Sequence, residues 1–451
     1  MRHEVLTNDQ PIATNHERPT TNHEPPTTNQ PWYRQLTRDQ WRAFTGTFLG
    51  WMFDGFDFTV LTFILIDIQK TFAVDAVLAG TLGTVTLVMR LVGGVVAGAA
   101  ADKWGRKLPL MLSILWLSIF AFLSGFSTSY AMLFAFRALF GIGMGGVWAA
   151  GMPLTLEHWP VHLRGAASGM LQGGFAWGFI LAAFAFRFIY PMFSGSPDLG
   201  WRVMFSVGIL PVLLVPWIRA RVPESPVWLE RQRHMRATGR TDKPPIVRLF
   251  QRDLIATTLQ CTALMTAFIF SYYSIVFWYA TLLRARGVEP LAYLVTLNLG
   301  QALGNPVWGR ISDGRIGRRG AVALAALLGV AGVPLFALST DPSVMWLGAV
   351  VVGVCGIGIW GMAPTYLTER FPTGVRGVGP GFAYHTGAAI GSLTPTVIGI
   401  MQERDMPLGN AMALLIAIAG VTVAVVIWFG PETRGRKFDA IDEHERHAQC
   451  E

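Results

Sequence analysis

Apolar residues in this chain come in long runs separated by short polar intervals. Twelve such runs lie near 43–66, 77–99, 108–126, 130–152, 166–190, 202–219, 254–283, 290–308, 320–338, 344–367, 377–401 and 408–429. A helix needs about 20 mostly apolar residues to cross a bilayer, so the pattern predicts an all-α polytopic membrane protein with twelve transmembrane helices. The longest polar interval, Ala220 to Asp253, divides them six and six. Residues 1–31 are polar and repetitive: Thr14-Asn15-His16-Glu17 returns as Thr21-Asn22-His23-Glu24. Nothing there can bury a core, so a disordered tail is expected, its two His-Glu pairs belonging to low-complexity sequence. No basic start leads into an apolar segment, so no cleaved signal peptide is expected. Trp32 to Arg42 mixes Trp, Tyr and Arg and reads as an interfacial lead-in. The organisation that follows is a tail (1–31), a six-helix half (32–219), a central loop (220–253), a second half (254–430) and a final tail (431–451).

Composition agrees: 52% of residues are hydrophobic, 14% are charged, and the mean hydropathy is +0.42, whereas soluble chains carry about 25% charged residues. The net charge of +8 therefore does not point to nucleic acid; Lys and Arg in such chains collect in cytoplasmic loops. The odd-numbered loops hold only Lys70, Arg284, Arg286 and Arg404. The even-numbered ones hold Lys103, Arg106, Lys107, Arg164, Arg310, Arg315, Arg318, Arg319, Arg370 and Arg376, and nine more lie from Arg219 to Arg252. The richer side is expected to be cytoplasmic, with both termini on it. Three scattered cysteines give neither a disulfide framework nor a metal site. No phosphate-binding Gly-x-x-x-x-Gly-Lys loop and no Ser/His/Asp cluster is present, which argues against an ATP-driven pump and against an enzyme. No cofactor is expected; a proton gradient is the expected energy source.

The chemistry concentrates in a few polar residues inside the spans. Trp51-Met-Phe-Asp54-Gly-Phe-Asp57-Phe58 puts two acids one turn apart in the first run. A charged residue at bilayer depth costs roughly 2.5–3.5 kcal/mol on insertion scales, so these acids call for a cavity, a cation or protons. They are candidate proton carriers; the structural alternative is a fixed pair with Arg from another helix. Arg90 in the second span and Arg137 in the fourth need anionic partners too, and either suits a substrate carboxylate, which a guanidinium grips bidentately. Gln172, Tyr272, Asn298, Gln301, Trp360 and His385 are further candidate cavity residues, with Trp177, Tyr273 and Asn305 among the other polar groups in spans. Tyr272 and Tyr273, adjacent on a helix, are not expected to face inward together. His385 is either a group titrating near neutrality or a helix-to-helix hydrogen bonder.

The halves repeat. After the second span comes Gly98-Ala-Ala-Ala-Asp102-Lys-Trp-Gly105-Arg106-Lys107; after the eighth comes Gly309-Arg-Ile-Ser-Asp313-Gly-Arg-Ile-Gly317-Arg318-Arg319. After the fourth comes Glu157-His-Trp-Pro160-Val-His-Leu-Arg164-Gly165; after the tenth comes Glu369-Arg-Phe-Pro372-Thr-Gly-Val-Arg376-Gly377. An offset of 212 joins Glu157 to Glu369, Arg164 to Arg376, Trp148 to Trp360 and Gly169 to Gly381, so the chain is a duplicated six-helix unit, as in many secondary transporters. Each cassette is a tight turn in which the Asp either pairs with Arg or caps a helix. Asp102, Arg106, Glu157, Arg164, Asp313, Arg318, Glu369 and Arg376 are therefore candidates for a conformational latch, or for turn geometry alone.

These cassettes resemble the signature loops of the major facilitator superfamily. Arg137-Ala-Leu-Phe-Gly141-Ile-Gly143-Met-Gly145-Gly146 resembles its fourth-helix motif, and Pro223-Glu224-Ser225-Pro226 and Pro431-Glu432-Thr433-Arg434-Gly435 resemble segments that follow its sixth and twelfth helices. The start of the chain, Pro31 to Phe58, and Gly381-Phe-Ala-Tyr384-His385 onward are similar to bacterial sialic acid–proton symporters, and the Asp-Gly-Phe-Asp box recurs in other carboxylate–proton symporters. The resemblance implies the major facilitator fold, two pseudo-symmetric six-helix halves, a coupling role for Arg137, a bacterial inner-membrane location and a monomer that imports a small organic acid with protons. Extra apolar segments of the sialate group have no counterpart in Ala220–Asp253, which favours a smaller acid. The rival reading is a proton-driven exporter of drugs or metabolites with the same fold.

Overall fold

The computed structural model describes residues 31–193, 195–196, 198–239 and 244–438. The tails 1–30 and 439–451, and the disorder expected of the first, lie outside them. Residues 31–37 are a short unit of their own with one 3-10 turn, Trp32–Arg34. From Arg38 onward each apolar run is helical. The helices are α1 (Arg38–Phe72), α2 (Leu78–Trp104), α3 (Lys107–Ser124), α4 (Tyr130–His158), α5 (Val161–Phe193), α6 (Leu199–Arg221), α7 (Ile255–Ala285), α8 (Pro290–Ser312), α9 (Gly317–Leu338), α10 (Pro342–Arg370), α11 (Val378–Gly391 continued by Thr394–Glu403) and α12 (Leu408–Phe429). No strand occurs among the described residues.

Ten of these helices are long and apolar enough to cross a membrane. The other two, α8 and α11, carry Asn298, Gln301 and Asn305, and Tyr384 and His385. Their polarity has a use, because they form the seams between the halves: α8 packs on α5 and α11 packs on α2. Within the first half, the glycines after Arg137 let α4 touch α2 backbone to backbone. A methyl on Gly141 would run into the Thr86 carbonyl, and one on Gly145 into the Arg90 carbonyl.

The α5–α8 seam widens along its length. Gly165 lies against Gly309 and Gly169 against Asn305, but a methyl on Gly173 would stand 3.7 Å from the Ala302 carbonyl oxygen. The halves thus meet most closely at the end bearing the basic loops, and a cavity lies between them at mid-depth. The described part of the central loop holds a helix at that basic end, Pro226–Thr238. Its first turn is capped by the Ser225 hydroxyl, and Gly239 ends it with φ +65°. The Trp228 indole N–H donates to the Asp102 carbonyl oxygen at 2.8 Å, tying this helix to the end of α2.

Candidate functional site

The mid-depth cavity is walled mainly by aromatic rings: Trp51 and Phe58 of α1, Phe175 of α5, Tyr272 and Tyr273 of α7, Trp360 of α10 and Tyr384 of α11. Besides the tyrosines its polar lining is Arg90, Gln172 and Gln301. A few polar groups set in an apolar shell are typical of small-molecule sites.

Arg90 sits at the wall, its guanidinium carbon 5.2 Å from the centre of the Trp51 ring and 5.1 Å from that of Tyr384. Its Nη2 lies 3.7 Å from Asp54 Oδ2, too long for a hydrogen bond. Asp57, one turn on and outside the cavity lining, is aimed at α6: a methyl on Gly208 would meet Asp57 Oδ1 at 2.5 Å. The missing side chain at Gly208 is what makes room for the carboxyl. Arg137 is fully buried nearby, over the rings of Phe140 (4.1 Å) and Phe205 (5.4 Å), within electrostatic reach of Asp57 and Asp54. None of the four carboxylate oxygens, none of Arg137's three side-chain nitrogens, and neither Nε nor Nη2 of Arg90 has a hydrogen-bond partner among the described residues. Two acids and two guanidiniums thus lie near one another beside the cavity wall, largely unsatisfied.

Of the expected substrate residues, Arg90, Gln172, Tyr272, Gln301 and Trp360 line the cavity; Arg137, Asn298 and His385 do not. Asn298 turns its amide back to the Leu294 carbonyl at 2.8 Å. His385 fills the seam with the first half, Nε2 3.3 Å from the Gly145 carbonyl oxygen and its ring against Gly94, the position of a helix-to-helix contact. Asn305 is buried where Gly169 and Gly361 touch its backbone. The expectation that Tyr272 and Tyr273 would not both face inward is corrected: both line the cavity, their rings 5.5 Å apart and edge to face. Successive side chains diverge by about 100° on a helix, and the cavity spans that arc of α7. Sequence reasoning overlooked Tyr384, whose ring stacks on Trp148 at 4.6 Å and meets Trp360 edge-on at 5.9 Å. The signal was available: Tyr384 stands one repeat offset after Gln172.

At the basic end the eight residues of the expected latch lie close together in the two repeat cassettes, and Asp102 and Asp313 do both things open to them. Asp102 pairs with Arg106 (2.6 Å) and accepts the backbone N–H groups of Gly377 and Val378 at 2.7 and 2.8 Å, at the start of α11. Asp313 pairs with Arg318 (2.7 Å) and accepts those of Gly165 and Ala166, both at 2.9 Å, in α5. Each half's Asp thus caps a helix of the other half. Arg106 also reaches Glu157 (3.3 Å) and the Thr373 carbonyl (3.0 Å), Arg318 reaches Glu369 (3.1 Å), and Arg376 reaches Glu157 (3.1 Å). Burial works against the Arg106 charge, but Glu157 and Asp102 more than offset it and hold its pKa above the usual arginine range.

The two Pro-Glu segments complete the turns. Glu224 accepts the backbone N–H groups of Arg106 and Lys107, and Glu432 those of Arg318 and Arg319. Gly105 and Gly317, at φ +97° and +73°, present bare backbone to these carboxylates, which a Cβ would strike. Arg164 differs from its repeat partner: it donates to the Leu156 and Arg436 carbonyls. Phe438, beyond α12, lies under both arginines, 3.5 Å from the Arg164 guanidinium carbon and 4.1 Å from that of Arg376.

The chain belongs to the major facilitator superfamily, whose family model matches residues 47–395. It is 32% identical over 421 residues to a probable 4-methylmuconolactone transporter of Cupriavidus pinatubonensis, covering 92% of this chain and 96% of that one. To the sialic acid transporter NanX of Escherichia coli it is 31% identical, covering 90% and 97%. The fold is that of the proton:xylose symporter XylE bound to 6-bromo-6-deoxy-D-glucose, with a TM-score of 0.72 at 18% identity over 92% of this chain and 99% of that one. It is a multi-pass membrane transporter and not an enzyme.

Proposed function

We propose that this member of the major facilitator superfamily is a proton-coupled symporter that imports an organic acid anion across the cytoplasmic membrane by alternating access, acting as a monomer with the basic end and both termini inside. One observation carries the reading: the Arg90 guanidinium stands at the cavity wall with Asp54 on its other side and is hydrogen-bonded to neither the acid nor anything else through Nε and Nη2. A guanidinium in that position has two alternative anions, Asp54 and a substrate carboxylate. When Asp54 takes a proton, Arg90 is free to bind the carboxylate bidentately; when the carboxylate leaves, Asp54 regains its partner and releases the proton. Asp57 and Arg137, buried within electrostatic reach of each other, are the groups through which the first half senses protonation. The closed basic end, with the Asp102 and Asp313 caps in place, corresponds to a state shut towards the inside. Loading both ligands lets the halves rock, which requires the Asp102 and Asp313 caps to part.

The relatives' substrates, 4-methylmuconolactone and sialic acid, are small oxygenated acids, and the structural neighbour is a proton symporter; both support the reading. An exporter of apolar drugs has no need of a bared guanidinium in its cavity. In proteoliposomes an inward proton gradient should drive carboxylate uptake, and Asp57→Asn should abolish the response to the gradient. Undiminished proton-driven uptake by the Asp54→Asn/Asp57→Asn protein would sink the coupling role.

A further inference from the structure

The duplication that built the two halves also built the cavity, and its two ends are not alike. The α2 cassette returns in α8 at an offset of 211 (Gly98 with Gly309, Asp102 with Asp313), and the α5 cassette returns in α11 at 212 (Gly165 with Gly377, Gly169 with Gly381). Carried up the same helices, these offsets pair Arg90 with Gln301 and Gln172 with Tyr384. All four side chains line the cavity. Because α2 packs on α11 and α5 on α8, one seam presents Arg90 beside Tyr384, and the pseudo-symmetric seam presents Gln301 beside Gln172. Where the first half places a guanidinium, the second half places a carboxamide. Gln172 is 4% exposed and its Oε1 has no donor among the described residues; Gln301 is 7% exposed. Arg90 is the one charged side chain among the described residues that line the cavity.

We infer that the site selects organic acids with a single carboxylate and a neutral hydrogen-bond donor at the far end, and rejects dicarboxylates, with Gln301 and Gln172 as the specificity-determining residues. The inference rests on the reading of Arg90 as the carboxylate anchor. With the carboxylate on Arg90, the other end of the molecule reaches the amide pair on the opposite seam. A hydroxyl or N–H there satisfies the orphaned Gln172 oxygen, which otherwise stays buried without a partner. A second carboxylate there must shed its water and finds no cation, and a neutral amide does not compensate a buried charge. The same pseudo-symmetry says how to change the choice: a guanidinium at position 301 restores a clamp on both seams.

The test is calorimetric binding to the purified full-length protein of benzoate, 4-hydroxybenzoate and terephthalate, together with the cinnamate set one vinylene unit longer. Wild type should bind the hydroxy acid about tenfold more tightly than the unsubstituted acid and the diacid about a hundredfold more weakly. Gln172→Ala should erase the hydroxyl preference. Gln301→Arg should reverse the diacid ratio, so that the diacid binds more tightly than the monoacid by about tenfold. A wild type that binds diacid and monoacid equally overturns the selection while leaving the anchor intact, and so do folded Gln301→Arg and Gln172→Ala proteins with wild-type ratios. Failure of all six acids to bind, or binding indifferent to Arg90→Gln, overturns the anchor reading and the inference with it.

Discussion

The basic end and the mid-depth site bury the same chemistry and treat it in opposite ways. At the basic end Arg106, Arg318, Asp102, Glu157 and Glu369 are buried, as is the side chain of Asp313, and each engages partners directly, at 2.6–3.3 Å for the ion pairs that join them. Backbone N–H groups across the interface take up the remaining carboxylate capacity. At mid-depth Asp54, Asp57, Arg90 and Arg137 are as deeply buried, yet their one ion pair among the described residues is 3.7 Å long and their polar atoms are largely without hydrogen bonds. A satisfied network of buried charges holds one arrangement, because each member loses if any other leaves. An unsatisfied one is costly as it stands and lowers its free energy by accepting a proton or an anion. The first behaviour suits a lock between the halves, and the second suits a site that must respond to its ligands.

Removing one partner at each end should separate the two cases. Glu157→Ala takes from Arg106 a carboxylate that meets its Nε and Nη2 at 3.3 Å each, and from Arg376 a contact at 3.1 Å. Breaking a buried pair in this way typically costs about 3–5 kcal/mol, so the unfolding midpoint in detergent should fall by several degrees; a variant as stable as wild type would show the network to be incidental. At mid-depth the comparable step replaces the two neighbouring unbonded charges by apolar side chains of similar volume, Asp57→Leu/Arg137→Met. The expected outcome is unchanged stability or a gain of about 1–4 kcal/mol, with proton-driven uptake lost. A loss of stability as large as that of Glu157→Ala would mark this pair as structural and erase the contrast.

The sequence made one of these regions far more legible than the other. The twelve helices follow from run length alone, since spanning a bilayer demands it. The residues of the basic end could be read because cassette and spacing are copied in both halves, and a copied turn must be built twice from the same residue types. The cavity was legible only in part, because a run that is apolar all round gives no signal of which face turns inward. Asn298 and Gln301 share a helix face by spacing, yet Asn298 bonds back to its own helix while Gln301 reaches the cavity. Backbone irregularity hid more. Over Val352–Met362 α10 passes through a π turn and then a 3-10 turn, whereas α4 is regular through Trp148. The repeat partners therefore part company: Trp360 lines the cavity, and Trp148 stacks on Tyr384 and stays fully buried.

The smallest expected effect concerns a residue of the basic end that belongs to neither cassette. Phe438 presents its ring to Arg164 from one half and to Arg376 from the other, and the Arg436 carbonyl beside it accepts from Arg164 at 2.9 Å. When the halves part at this end, the ring keeps at most one guanidinium. A cation–π contact is worth about 0.5–1 kcal/mol where water has access, so Phe438→Ala should raise the population open at the basic end about fivefold while leaving the unfolding midpoint within error of wild type. Spin labels at the exposed positions Lys103 and Arg315, one on each half, would read that population as a second, longer distance. Phe438→Tyr should restore the wild-type distribution because it keeps the ring. If Phe438→Ala leaves the distances unchanged, the Asp caps and the Arg–Glu pairs alone hold this end closed.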